Sequence, residues 1–201
     1  MNIVTLLFSY FIGSINFAYI VAKFKKIDIS TKGSGNPGTS NVMRIIGKQY
    51  AAIVLIGDML KGFLPIYISL DDEYFLIYGL SAILGHIFPI YYKFKGGKGV
   101  ATFFGIYLAV LIFHPNNFPE YFQSYILLSI GFIIGCYYLI FKLTRVSAVA
   151  SLSTVAISIT ILIVANNGFI NIMTLTAILF LIFFKHKDNI KRLIKGQENK
   201  F

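Results

Sequence analysis

Residues 146–165 read VSAVASLSTVAISITILIVA, twenty residues without a charge, entered directly after Arg145. At 1.5 Å per residue a helix of that length rises about 30 Å, the thickness of a bilayer's hydrocarbon core. The pattern recurs along the chain. A span needs about 17–25 mostly apolar residues, and seven segments come forward as candidates. They are Ile3–Ala22, Ala51–Leu70, Tyr74–Tyr92, Val100–Phe113, Gln123–Phe141, Val146–Ala165 and Phe169–Phe184. The fourth and seventh are short for a full crossing, so they are read as part-depth or as extended by their flanks. No basic n-region or cleavage-site pattern accompanies Ile3–Ala22, which reads as a retained first span rather than a removed signal peptide.

Composition agrees. Of 201 residues, 57% are hydrophobic and only 13% are charged, and the mean hydropathy is +0.75. A soluble domain is about 45–50% apolar and about 25% charged, and a soluble globule of this make-up would expose large apolar patches. Disorder requires low hydrophobicity, and a transmembrane β-barrel shows short alternating segments rather than long runs. The expectation is an all-α polytopic membrane protein, a seven-transmembrane-helix bundle forming one domain over residues 1–201. The single cysteine, Cys136, sits in an apolar run and reads as a small buried hydrophobe. It allows no internal disulfide, and no Cys/His metal spacing exists, so neither metal nor cofactor is expected.

The formal charge is +10, which in a soluble protein would suggest nucleic acid. Here the charges lie between apolar runs, so membrane topology explains them first, an anionic substrate second, and nucleic acid is not an expected partner. Seventeen of the eighteen basic residues fall in the first, third and fifth loops and the C-terminal tail; the other, Lys61, lies within the second span. The remaining loops carry Asp71, Asp72, Glu73 and Glu120. Lys and Arg accumulate on the cytoplasmic side. The expected orientation is therefore N-terminus outside and C-terminus cytoplasmic, which requires an odd number of spans.

Two basic loops carry more than topology. The first, Asp28 to Arg44, is rich in Gly, Ser, Thr and Asn, and suits close approach of backbone N–H groups to a phosphate. Gly33, Gly35 and Gly38 match G-x-G-x-x-G, but a dinucleotide site needs a preceding strand, and a membrane helix stands there. The third loop holds Gly96-Gly97-Lys98-Gly99 and runs into a helix start. Glycine in place of Ser/Thr after Lys98 speaks against a Walker A motif. The loop still offers backbone, a cation and a helix N-terminus to a phosphate. Asp58 and Lys61 lie three residues apart in the second span, on one helix face, where a mutual pair is the least costly arrangement in a bilayer. That pair reads equally as a site support or as a buried ion pair. His86 lies near the end of the third span, and His186 and Asn189 share a face just past the seventh. Either histidine could serve an anion or act as a base. His114 reads as an outer-loop residue. Ser147 and Ser151 follow Arg145 as hydroxyl donors or packing residues, and Gly131 and Gly135 read as a close helix contact.

Taken in order, these motifs resemble the bacterial acyl-phosphate:glycerol-3-phosphate acyltransferases, the PlsY family, from end to end. The resemblance rests on Gly13-Ser14-Ile15; on Asp28-Ile29 with Gly33-Ser34-Gly35-Asn36, Gly38, Asn41 and Arg44; and on Asp58-Met59-Leu60-Lys61-Gly62. It continues through Gly85-His86 with Pro89, Phe94 to Thr102, Arg145 with Ser147 and Ser151, and His186 with Asn189. Ser30 stands where that family usually has arginine, Thr39-Ser40 where it has Ala-Thr, and Asn16 where proline is common.

The resemblance implies transfer of a fatty acyl group from acyl-phosphate to glycerol 3-phosphate, giving lysophosphatidic acid and inorganic phosphate. It also implies a site at the cytoplasmic face of the bacterial plasma membrane and an acyl-phosphate-forming enzyme as a partner. By motif matching, Ser34, Gly35, Ser40, Asn41, Gly96, Gly97 and Gly99 would cradle the acyl-phosphate. Lys98 and Arg44 would neutralise phosphates, and Ser147, His186 and Asn189 would position glycerol 3-phosphate. Asp58, Lys61 and His86 would support the site, with the base left between His186 and a substrate phosphate oxygen. The competing class is a transporter of a phosphorylated anion, but such proteins place their sites near the midplane, often within repeats, and no repeat is visible here. A thioester-dependent H-x-x-x-x-D acyltransferase fails because no histidine has an aspartate five residues on.

Overall fold

The computed structural model describes residues 1–114, 125–165 and 168–201. Glu120, the outer-loop residues Pro115, Asn116 and Asn117, and the start of the predicted fifth span at Gln123 lie outside the described residues. Every regular element among the described residues is helical. The chain forms two compact units, Met1–Ile106 and Tyr107–Phe201.

In the first unit the predicted span Ile3–Ala22 is broken into α1 (Ile3–Ser14) and α2 (Phe17–Phe24). Ile15 and Asn16 are extended, and the Asn16 side chain accepts from Tyr19 N–H at 3.0 Å to start the second helix. The Ile15 carbonyl, released from the helix, accepts from the Lys61 ammonium at 2.7 Å. A polar break inside an apolar run is stable here because both exposed backbone groups find side-chain partners. After α3 (Thr39–Ile45) come α4 (Lys48–Tyr67) and α5 (Phe75–Ile87). α1 lies along α5, and Ser81 Oγ donates to the Leu6 carbonyl at 2.9 Å. The approach is close enough that a Cβ on Gly13 would fall 2.2 Å from the Ala82 carbonyl oxygen. At one end of the pair the Tyr78 hydroxyl donates to Asp72 and accepts from Asn2 N–H. At the other, a 3-10 turn (Ile90–Tyr92) follows Pro89, and Tyr92 stacks on Tyr19 of α2 at 4.7 Å. A buried cluster of Ala18, Val21, Ala22, Ile29, Val42, Ala51 and Val54 joins α2, the first basic loop, α3 and α4.

α6 (Val100–Phe113) keeps the predicted bounds and, at 14 residues, is shorter than a full span. The unit boundary falls inside it. The second unit continues with α7 (Ile126–Thr144), α8 (Ser147–Ala165), α9 (Phe169–Lys185) and α10 (Lys187–Ile194), the last two meeting at a 55° bend. α8 packs against both α7 and α9.

Two expectations change here. Only Ile133 of α7 is buried, so Cys136 is half-buried rather than enclosed. Among the described residues the Gly131/Gly135 spacing makes no close helix contact: none lies within 4 Å of a Cβ built on either. Among the described residues five segments are long and apolar enough to cross a membrane, with α1–α2 counted together, or six with the bent α9–α10 pair. That is fewer than the seven read from the sequence, chiefly because α6 is short.

Candidate active site

The first glycine loop is built by one side chain. Asn41, 1% exposed at the start of α3, accepts from Ser34 N–H at 3.0 Å. Its amide donates to the carbonyls of Lys32 (3.0 Å) and Ile29 (3.3 Å). One buried amide thus fixes three backbone groups of the loop, and both of its hydrogens are committed to them. Gly33 and Gly35 sit at φ +60 and +68, in the left-handed region that favours glycine. Gly33 has a second constraint, since a Cβ there would lie 2.2 Å from Asn41 Oδ1. Ser34 is exposed, and Gly35, Ser40 and Arg44 are half-buried. At the loop's entry Asp28 accepts from Ser30 Oγ (2.6 Å) and Ser30 N–H (3.0 Å). The Ser30 hydroxyl, and after it the Ser30 N–H, hold the Asp28 carboxyl below the usual carboxylate range. Ser30, in place of an expected arginine, therefore serves the loop's own turn.

The second loop is built by packing. Gly97 N–H donates to the His86 carbonyl at 3.1 Å. A Cβ on Gly96 would lie 2.0 Å from that same carbonyl oxygen, and one on Gly97 would lie 2.2 Å from His86 Nε2. The loop can sit on His86 only because both residues lack a side chain. Lys98 is half-buried, Gly99 turns the chain at φ +85, and its carbonyl accepts from Phe103 N–H at 2.8 Å in the first turn of α6.

Behind the second loop lies a buried polar chain. His86 Nδ1 is 3.8 Å from Asp58 Oδ1, and the Lys61 ammonium is 2.9 Å from the same oxygen and 2.7 Å from the Ile15 carbonyl. All three side chains are less than 5% exposed. The sequence spacing of Asp58 and Lys61 anticipates this pair. What it does not show is that the pair also reaches the α1–α2 break and, through His86, the glycine loop.

In the second unit Ser147 opens α8 two residues after Arg145, which ends α7 in the left-handed region at φ +57. His186, at the α9–α10 bend, is 3% exposed, and its Nδ1 lies 2.7 Å from the Ile182 carbonyl. A carbonyl only accepts, so Nδ1 carries the proton and Nε2 of the neutral ring carries the lone pair. Asn189 donates to Glu198 Oε1 at 2.7 Å, and Arg192 Nε donates to Glu198 Oε2 at 2.7 Å. Glu198, the partner of the candidate residue Asn189, is one that the sequence reading passes over. Its one signal is an acidic side chain in a tail otherwise read for its positive charge.

Comparison with known proteins adds the family. The glycerol-3-phosphate acyltransferase family model matches residues 3–196. The chain belongs to the glycerol-3-phosphate acyltransferase family. The acyltransferase of Ruthia magnifica is 42% identical, with 98% of this chain and 95% of that protein covered. That of Aquifex aeolicus is 36% identical, with 97% and 96% covered. Among solved structures, PlsY, an integral membrane glycerol 3-phosphate acyltransferase, is similar in its glycerol 3-phosphate form. The TM-score is 0.86 at 34% identity, over 99% of this chain and 94% of that one. Its lysophosphatidic acid form gives a TM-score of 0.84. As a glycerol-3-phosphate acyltransferase the chain is an integral membrane enzyme of phospholipid synthesis, and the resemblance read from its motifs is borne out.

Proposed function

We propose that the acyl donor is an acyl-phosphate, and that the chain transfers its fatty acyl group to glycerol 3-phosphate. The acceptor hydroxyl oxygen attacks the carbonyl carbon of the mixed anhydride. The tetrahedral intermediate collapses with cleavage of the carbonyl carbon–oxygen bond to phosphorus. Lysophosphatidic acid and inorganic phosphate leave, and the hydroxyl proton passes to His186 Nε2 or to an oxygen of the departing phosphate. Ser34, Gly35, Ser40, Gly96, Gly97 and Gly99 cradle the acyl-phosphate, with Asn41 shaping the cradle from beneath. Lys98 and Arg44 offset the charge of two phosphates that must approach one another. Ser147, His186 and Asn189 hold glycerol 3-phosphate, and holding the hydroxyl beside the carbonyl supplies much of the acceleration. Asp58, Lys61 and His86 brace the second loop.

The observation that carries this reading is the Gly96–Gly99 loop, pressed onto His86 and opening directly into α6 beside Lys98. Backbone N–H groups, a cation and a helix N-terminus are what a leaving phosphate needs. The alternation of basic loops supports seven spans in one domain, with the N-terminus outside and the working face toward the cytoplasm at the plasma membrane. An acyl-phosphate-forming enzyme then supplies the donor from that side.

The test is phosphate release by purified protein in lipid, with palmitoyl-phosphate and glycerol 3-phosphate, palmitoyl-CoA as donor control, and Lys98→Ala alongside. Release should need both substrates and yield lysophosphatidic acid. It should fall on the order of 100-fold or more in the variant, as when one transition-state donor is removed. Release independent of glycerol 3-phosphate, or turnover with palmitoyl-CoA alone, overturns the reading.

A further inference from the structure

The Ile15–Phe17 break is pinned from three sides. The Ile15 carbonyl accepts from Lys61, and the Phe17 ring covers Gly57 of α4 so closely that a Cβ there would lie 2.5 Å from it. Between them Asn16, 2% exposed, uses both ends of its amide. Its oxygen caps α2 through Tyr19 N–H at 3.0 Å, and its nitrogen donates to the Pro37 carbonyl at 3.5 Å. Pro37 closes the first glycine loop and is itself buried, and the Gly38 carbonyl beside it accepts from Asn41 and Val42 N–H at 3.1 Å each to start α3. The loop's two internal glycines leave its backbone free to turn, so its position depends on where its ends are tied. One end is tied by Asn41 from α3, and the other has Asn16.

We propose that Asn16 is a positioning residue of this enzyme, which holds the first glycine loop to the start of α2 through the Pro37 carbonyl and so sets the affinity for the acyl-phosphate. This rests on the reading of that loop as the acyl-phosphate cradle. Proline, common here in the family that the motifs resemble, has no donor to give; in this chain the Asn16 amide adds a tie that the loop would otherwise lack.

The test separates the two ends of the amide. Asn16→Ser keeps an oxygen that caps α2 but is too short to reach Pro37, whereas Asn16→Ala loses both functions. Full-length protein in lipid is compared by amide hydrogen exchange over residues 32–38 and 93–99, by KM and kcat for each substrate, and by thermal unfolding. For Asn16→Ser, exchange over 32–38 should quicken about three- to ten-fold, the range of one net hydrogen bond, with 93–99 unchanged. The KM for palmitoyl-phosphate should rise by a similar factor, with kcat, the KM for glycerol 3-phosphate and the unfolding midpoint held. Asn16→Ala should add a fall in midpoint. Unchanged exchange in Asn16→Ser, or faster exchange in both segments with a lower midpoint, overturns the proposal, as does faster exchange without a change in donor KM. If the wild type does not use palmitoyl-phosphate at all, the donor reading falls, while the exchange data alone decide the tie to Pro37.

Discussion

The two glycine loops of the first unit look alike in sequence and are built by opposite means. The first loop, over residues 29–38, hangs from side-chain amides: Asn41 fixes three of its backbone groups and Asn16 a fourth. The Gly96–Gly99 loop is held differently, by Gly97 N–H on the His86 carbonyl and by close packing. It lies flat on His86, whose own support is a buried ion pair. Glycine therefore means different things in the two places. At Gly33 and Gly35 of the first loop it permits a left-handed turn, with Gly33 also clearing the Asn41 side chain; at Gly96 and Gly97 of the second it removes an atom that would collide with His86. The first loop can yield to a substitution by shifting, and the second has buried backbone behind it.

The largest expected effect tests the support behind the second loop. Lys61→Met leaves Asp58 buried without its cation and should lower unfolding stability by about 3–5 kcal/mol, measured by denaturant unfolding in micelles. Removing both charges together should recover much of that loss; equal losses in single and double variants would mean that the pair is not the support. Next comes Gly96→Ala, whose Cβ meets the His86 carbonyl. A displacement of about 1 Å at such a loop should reduce kcat/KM about 100-fold. Asn41→Ala leaves the Ser34 N–H and two carbonyls without their partner and should destabilise by about 2 kcal/mol. A smaller loss than that of Gly96→Ala in turnover would sharpen the contrast between a loop that yields and one that cannot. Gly35→Ala places a side chain in the left-handed region and should cost about 1–2 kcal/mol, with activity falling less than in Gly96→Ala. The smallest effect is that of pH. The Asp28 carboxyl is held low by Ser30, so its contribution is present above the ordinary aspartate range near pH 4 and is lost as pH falls through the lowered value. Acidification should thus raise hydrogen exchange over residues 28–31 before it does so over 93–99, which holds no carboxylate, and Asp28→Asn should abolish that difference.

Much of this was readable before any coordinates. Apolar length gave the helices, with α6 at its predicted bounds, and i, i+3 spacing gave the Asp58–Lys61 pair. Motif order gave the family. What escaped depends on distance in sequence. Asn16 inside an apolar run carries no local sign that Lys61, 46 residues beyond Ile15, takes the Ile15 carbonyl beside it. His86 reads as an ambiguous histidine until Gly97 is seen against its ring. Glu198 disappears in a tail whose charge invites a topological reading. The Gly131/Gly135 spacing defines a helix face but says nothing of whether a neighbour occupies it, and none does among the described residues.

α7 buries only Ile133 of its nineteen residues and leaves long apolar side chains outward, with Leu127 at 82% and Leu143 at 75% exposure. Beyond its contact with α8, that helix has lipid as its packing partner. Its rise of about 28 Å matches the hydrocarbon thickness of an ordinary bilayer. Acyl-chain length in the surrounding membrane therefore acts on α7 as a mutation would act on a buried helix. A thinner bilayer or a short-chain detergent would tilt α7 first, and would test the enzyme's tolerance to the length of the lipid chains around it.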